Sequence, residues 1–375
     1  MKILHFVQSS DPKVGGSLTV ARELVKAQRD LGLDAWLVTL YDLPSAGNEV
    51  RHLPFEIACA IPRDLRWTRG VVGLRRLVQS HQPDIIHHHD GILWPRLACL
   101  GLGIPRVSHG HLGPPAQKYF TSAWLTHLGI LLTTQHFIAI SQWVAESWAE
   151  CGMAGNKITL IPNGVDPHRF YRREEKERQK IRSQYGIGEG EVMLVWAGRL
   201  DKETKGLNRL VNLARYLDSR VKLVVMGDGP DSDWLKESMA CLKMANPPLF
   251  TGMVGDSSTL FGVADVFMFT SQVEPFGLVL LEAACSGLPI YGFSCLGGGR
   301  ELLDKLRAYR ADETDYPGLA NAILQEQSSP PKETQRLIHD HYTWQAVAYA
   351  CARVYTGMVS QGGKCETFTS ALPTS

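Results

Sequence analysis

Short runs of β-branched and aliphatic residues recur along the chain, each followed by a longer stretch in which apolar residues return every third or fourth position. The first pattern fits a strand buried on both faces and the second an amphipathic helix; their alternation signals βαβ units and a parallel sheet. In the first half, strands are predicted near residues 2–7, 34–40, 84–88, 105–109 and 136–140, with helices between them from 16–31 onward. In the second half they are predicted near 192–197, 221–226, 266–270 and 288–293. Each ends where a polar or glycine-bearing loop begins, and open α/β sheets bind ligands beyond those carboxyl ends. The predicted fold class is α/β, with two sheets enclosing a cleft.

A chain of 375 residues has room for two cores, since single domains run to about 100–200 residues. The turn-rich stretch Ile161-Pro-Asn-Gly-Val-Asp166 marks the switch, giving domains 1–165 and 166–341. The charged run that follows, 172–182, reads as a solvated helix, and the small, polar residues 360–375 as a disordered tail. A net charge of +1 and a pI near 7.7 argue against nucleic acid or another polyanion as partner. Eight cysteines are scattered singly with no CxxC pair, which fits a reducing cytoplasm. Met1-Lys-Ile-Leu-His-Phe-Val is too short for a secretion signal and no apolar run reaches about 18 residues, so a cytoplasmic protein is expected.

Candidate chemistry concentrates in Ser271-Gln-Val-Glu-Pro-Phe-Gly-Leu-Val-Leu-Leu-Glu-Ala-Ala-Cys-Ser-Gly-Leu-Pro-Ile290. Glu282 lies inside an otherwise apolar helix, where an unpaired carboxylate costs several kcal/mol; it should hold the hydroxyls of a bound sugar or ribose, or else an ordinary ion pair. Glu274 precedes Pro275, which forces it into an extended loop. Phe276, Gly277 and Leu278 start the helix, and their free N–H groups face any anion placed there. Arg199 and Lys205 share one loop between a strand and a helix. Between the first strand and the first helix, Gly15 and Gly16 allow close backbone approach to a phosphate or simply make a turn. His87, His88 and His89 stand in a row, with His109 and His111 nearby. Adjacent strand residues point to opposite faces, so the three should not converge on one ion, and no metal site is expected.

The spacing of Glu274 and Glu282 with Pro-Phe-Gly between them resembles the signature of the retaining glycosyltransferases of family 4, which adopt the GT-B fold. Further segments in the family's order, spread over about residues 1–357, share the resemblance. It implies two Rossmann-like domains facing across a cleft, with a closing helix at about 342–358 returning to the first. Arg199 and Lys205 resemble the diphosphate-binding pair, Gly15 and Gly16 the glycine-rich loop, and Met253 and Val254 a segment beside the nucleotide base. Glu274 would bond donor-sugar hydroxyls and Glu282 the ribose, with Phe276, Gly277 and Leu278 also at the donor. The stretch Pro105-Arg-Val-Ser-His-Gly-His111 resembles the strand that brings a histidine near the sugar; counting from the proline favours His111, with His109 the other choice. At 297–302 the chain departs from the family pattern, and no role is assigned there.

The activity implied is a hexosyltransferase-type retaining transfer from a nucleotide-diphosphate sugar to an acceptor hydroxyl, metal-independent and without a cofactor, in polysaccharide, glycolipid or glycoconjugate biosynthesis. The acceptor could be a carbohydrate, lipid-linked or small molecule. Residues 63–77 carry five arginines with Trp67. They read either as peripheral contact with the inner membrane face or as a helix packed on its own sheet. Two other classes stay open: a catalytically silent nucleotide-sugar-binding protein, and a dehydrogenase, although the GxGxxG motif that the latter needs is missing.

Overall fold

The computed structural model describes residues 1–9, 16–41, 53–59, 65–89, 91–114, 121–325 and 332–361. The chain divides into two compact units, Met1–Asn163 with Trp344–Ser375, and Gly164–Thr343. In the first unit the strands are β1 (Lys2–Ser9), β2 (Asp34–Tyr41), β3 (Glu56–Ala58), β4 (Ile85–His88), β5 (Arg106–Gly110), β6 (His136–Ala139) and β7 (Ile158–Leu160). They form one sheet in the order β3-β2-β1-β4-β5-β6-β7, parallel at every pairing. The second unit has β8 (Val192–Ala197), β9 (Val221–Met226), β10 (Leu249–Gly252), β11 (Val266–Phe269), β12 (Ile290–Phe293) and β13 (Tyr309–Ala311). Their order is β10-β9-β8-β11-β12-β13, again all parallel.

The central strands are the ones whose apolar runs are legible, because helices cover both faces and most of their side chains are buried. The four strands missing from the sequence reading, β3, β7, β10 and β13, are the four sheet edges. None of them has a fully buried residue, so none carries an apolar run. Strand order reverses between β1 and β4 in the first sheet and between β8 and β11 in the second. A crevice opens at the carboxyl ends of such neighbours, where the helices leave to opposite faces.

Two expectations need correction, and of a third, left between two readings, the packed helix is observed. The charged run does form a helix, Glu175–Gln184, but it is not simply solvated: Arg178 and Arg182 are buried. Arg178 donates to Asp265 Oδ1 at 2.7 Å and Arg182 to Asp265 Oδ2 at 2.6 Å, so one carboxylate neutralises two guanidinium groups under the helix. Paired and hydrogen-bonded charges can be buried where lone ones cannot. Secondly, the last helix, Trp344–Gln361, runs two residues into the tail expected to be disordered from 360; residues 362–375 lie outside the described ones. It returns to the first unit, where Gln28 Nε2 donates to Tyr355 OH at 3.1 Å. Thirdly, the arginine-rich stretch becomes Arg66–Gly70 and Val71–His81, with residues 63 and 64 outside the description. Leu74 and Val78 are buried in the core of the first unit while Trp67 and Val72 are exposed, so it packs on its own sheet along one face.

Candidate active site

In the second unit the loops after β8 and β11 are tied together at the switch point. Asp201 caps the short helix Lys202–Lys205 by accepting from Thr204 N at 3.0 Å. The carbonyl of Thr204 then accepts from Gln272 N at 2.9 Å, and Thr270 Oγ1 donates to Lys205 O at 2.8 Å while receiving Trp196 Nε1 at 2.8 Å. Gly206 stands where these loops cross, at φ +62°; a Cβ there would lie 2.2 Å from Thr270 O. Arg209 fixes the β11 loop from below, donating to Thr270 O, Ser271 O and Ser294 O at 3.2, 3.0 and 3.2 Å. The turn after β9 backs the other side, since Leu200 N donates to Asp228 O at 3.0 Å.

This frame brings Lys205 Nζ to 2.6 Å from Glu274 Oε2, although the two are 69 residues apart in sequence. Ser271 Oγ donates to the same oxygen at 3.3 Å. Glu274 is buried, with its extended backbone pinned by Glu274 N to Leu296 O and Gly299 N to Glu274 O, both 2.8 Å. The glycine run left unassigned from sequence explains itself here. A Cβ at Gly297 would lie 2.4 Å from Glu274 O, and one at Gly299 2.7 Å from Glu274 Cβ. Only glycine lets that loop close around the carboxylate. Sequence reasoning missed Gly297, Gly299, Ser271 and Arg209; three glycines in a row after a strand were the available signal for the first two.

Arg199 is exposed on the same loop as Lys205, and its charge helps to lower Asp201, whose carboxyl is held below its ordinary range chiefly by hydrogen bonds from Thr204. Phe276 is buried, Gly277 takes the left-handed conformation at φ +94°, and Leu278 opens the helix Leu278–Cys285 with no side-chain cap on its first turn. Those N–H groups therefore remain open to an acceptor. Glu282, one turn on, receives no hydrogen bond or ion pair among the described residues; Arg169 instead pairs with Asp256 at 3.1 Å. Burial raises the Glu282 pKa to about 7, with Arg169 lowering it and Asp256 raising it by smaller amounts. Among the described residues no ordinary ion pair to Glu282 is formed, and Arg169 acts on it only as a smaller electrostatic effect. Met253, half-exposed, and Val254 follow edge strand β10 at the same end of the sheet.

In the first unit Gly16 begins the helix Gly16–Asp30, while Gly15 lies outside the described residues. The histidines form a packed layer. His87 and His89 share one face of the sheet, as alternation requires, and His88 turns to the other, stacking near Phe6. What sequence did not foresee is that His5 of β1, His109 of β5 and His111 just past its end join the first face. His5 Nε2 meets Gln28 Oε1 at 2.8 Å, His5 Nδ1 meets His89 Nε2 at 2.9 Å, and His89 Nδ1 meets His111 Nε2 at 3.0 Å. His109 lies parallel over His111 at 4.5 Å, and neither of its buried nitrogens has a partner among the described residues. His111 is half-buried just past the strand end, whereas His109 is buried within it. Desolvation brings the pKa of His5 and of His111 down to about 4 and lowers His87, His89 and His109 well below 6.5. Ligand nitrogens of His5, His87 and His89, and of His89, His109 and His111, lie within 4.8 Å of one another. Imidazole lone pairs lie in the ring plane, so the stacked rings of His89, His109 and His111 do not aim them at a common point, while His5 is tilted by 42° and 32° against His87 and His89; two N···N contacts and one N···O contact occupy six nitrogen and oxygen positions along the row, Gln28 included.

Two family models match, "Glycosyltransferase Family 4" over residues 14–169 and "Glycosyl transferases group 1" over residues 177–342. The chain is similar to the α-monoglucosyldiacylglycerol synthase of Streptococcus pneumoniae, at 33% identity over 91% of this chain and 81% of the relative. It also resembles the glycogen synthase of Mycobacterium tuberculosis, at 27% identity over 74% of this chain and 69% of that protein. Among solved structures, Anabaena HepE in complex with UDP-glucose superposes with a TM-score of 0.81 at 21% identity, covering 95% of this chain and all of that one.

Proposed function

This chain belongs to glycosyltransferase family 4, the group 1 glycosyltransferases of GT-B fold, and on that footing we propose that it transfers a hexose with retention of anomeric configuration and without a metal ion. The observation that carries the reading is the Lys205–Glu274 contact of 2.6 Å at the β8/β11 switch point, beside an uncapped helix start. A cation, an acid and free N–H groups converge there, which is what a sugar diphosphate requires.

In this mechanism Arg199 and Lys205 hold the diphosphate, aided by the N–H groups of Phe276, Gly277 and Leu278. Glu274 receives hydroxyls of the donor sugar and Glu282 those of the ribose, while Met253 and Val254 flank the base. The glycosidic C–O bond breaks with its electron pair leaving on the diphosphate oxygen, whose charge Lys205 and Arg199 stabilise. The acceptor oxygen adds to the same face of the sugar, and its proton passes to that diphosphate oxygen. His111, neutral, bonds a sugar hydroxyl, and the glycine-bearing segment of Gly15 and Gly16 serves the phosphate. No residue here needs a divalent ion, because side-chain cations take its role.

Uridine diphosphate sugars are the first donors to test, with guanosine and adenosine diphosphate sugars alongside and a diacylglycerol or glycan acceptor. Turnover in EDTA with a product of unchanged anomeric configuration by NMR supports the reading; dependence on added metal, or inversion, overturns it. Trp67, Arg69, Val72 and Arg76 share the exposed side of 66–81, and this favours peripheral contact with an anionic membrane surface. Failure to float with anionic vesicles at low salt removes that part alone. No helix among the described residues is long and apolar enough to cross a membrane.

A further inference from the structure

The row Gln28–His5–His89–His111 carries an asymmetry that single histidines lack. A neutral imidazole has one N–H and one lone pair, so each N···N contact in a row forces the state of the next ring. Gln28 sits at the buried end with its two amide atoms committed to different partners: Nε2 donates to Tyr355 OH at 3.1 Å, and Oε1 faces His5 Nε2 at 2.8 Å. An amide oxygen can only accept, so His5 carries its proton on Nε2 and its Nδ1 is a lone pair. His89 Nε2, at 2.9 Å, must then be the donor to it, leaving His89 Nδ1 as a lone pair. His111 Nε2, at 3.0 Å, must donate in turn. That leaves His111 Nδ1 unprotonated, with no partner among the described residues, on the one member of the row that is half-buried rather than buried.

We propose that Gln28, anchored by Tyr355 of the returning helix, is a positioning residue that sets the tautomer of His111 through His5 and His89, so that His111 offers an acceptor and receives a neutral hydroxyl. The consequence for recognition rests on the reading above in which His111 touches the sugar. An acceptor nitrogen bonds an alcohol O–H but repels a phosphate or carboxylate oxygen, so His111 discriminates a sugar hydroxyl from the anionic part of the donor. Stacking reinforces the arrangement. His87 lies over His89 at 4.5 Å and His109 over His111 at 4.5 Å, which keeps the rings of the row from rotating out of line. Desolvation keeps all five rings neutral at pH 7, the state that the row requires.

The test uses the full chain labelled with 15N-histidine. Two-bond 1H–15N correlations at pH 7 separate the two neutral tautomers from each other and from the imidazolium. His111 is assigned by the signals lost in His111→Gln. The expected result is an Nε2–H tautomer for His5, His89 and His111. Gln28→Leu should release the row into a tautomer mixture and lower kcat/KM about tenfold, the worth of one oriented hydrogen bond. Gln28→Glu keeps an acceptor against His5 and should restore the tautomer. Finding His111 as Nδ1–H or as a cation in the wild type, or unchanged in Gln28→Leu, overturns the inference. If the tautomers behave as stated but His111→Gln turns over at the wild-type rate, the relay stands and the sugar contact assigned to His111 falls.

Discussion

Replacing Glu282 by glutamine should make the ligand-free protein more stable while making it a poorer enzyme. The folded-state pKa of about 7 lies above the ordinary 4.5 because burial disfavours the charged form and no protein group compensates it fully. Between those two values the folded chain keeps a proton that the unfolded chain has released. Stability therefore falls as pH rises from about 4.5 to about 7 and stays reduced above. At 1.36 kcal/mol per pH unit, a gap of about 2.5 units corresponds to an upper bound of about 3 kcal/mol. Part of the side chain is open to solvent, and screening there brings the expected figure to about 1–3 kcal/mol. Glutamine imitates the protonated acid and escapes the loss. Thermal unfolding of both proteins at pH 5 and pH 8 checks this. Glu282→Gln should melt several degrees higher at pH 8, since 1 kcal/mol moves a domain of this size by about 2–4 °C, and nearly level at pH 5. A loss of stability at pH 8, or a difference that ignores pH, would refute the claim that the carboxylate is uncompensated. The same variant should raise the donor KM, because a neutral amide is a weaker acceptor for ribose hydroxyls.

Lys205→Met removes the charge facing the leaving diphosphate and should lower kcat about 10²- to 10³-fold in single-turnover assays; it also leaves the buried Glu274 carboxylate without its cation, so the melting temperature should fall as well. A loss confined to KM would move Lys205 out of the transition state. Gly206→Ala places a methyl 2.2 Å from Thr270 O at a positive φ, so it should destabilise the second unit by more than about 2 kcal/mol and misplace Lys205 with it. Asp265→Ala leaves Arg178 and Arg182 buried without their shared carboxylate; a loss of about 3–5 kcal/mol in urea unfolding is expected, and one below about 1 would mean that the pair is solvated after all.

What could be read from sequence follows from range. Glu274-Pro275-Phe276-Gly277 and the Glu282 helix are local, and their conformations are set by proline, glycine and the apolar run around them. Glu274 and Lys205 were each singled out, but their mutual contact spans 69 residues and depends on Thr204 and Thr270 stapling two loops. Edge strands such as β13 are too exposed to show a pattern. The charged run misled for a related reason: an arginine facing a buried aspartate looks the same in sequence as one facing water, and Asp265 lies more than eighty residues from Arg182. Alternation placed His88 away from His87 and His89 correctly. It could not announce His5, which enters through the pairing of β1 with β4, where His5 stands opposite His87.

Several groups of the second unit that could hold a ligand have no partner among the described residues or are open to solvent. Glu282 has no partner among the described residues, the first turn of Leu278–Cys285 has no cap, and Arg199 is exposed, while Lys205 and Glu274 neutralise each other. A sugar diphosphate can engage each of these at once: phosphate oxygens for Arg199 and Lys205 and the N–H groups, hydroxyls for Glu274 and Glu282. Binding should therefore stabilise this unit by mass action, by about 2.7 kcal/mol at a hundredfold excess over Kd. To do so the diphosphate must draw Lys205 from Glu274, and the sugar hydroxyls must take the oxygen it leaves. A nucleoside diphosphate without its sugar supplies the first half of that exchange only, so at equal multiples of Kd both ligands should stabilise alike, but the sugar-bearing one should need less concentration to do it. In Lys205→Met the exchange is abolished, and the affinity for nucleoside diphosphate should drop at least tenfold by calorimetry. Unchanged affinity in that variant would place the diphosphate elsewhere and remove the electrostatic basis of the proposed function.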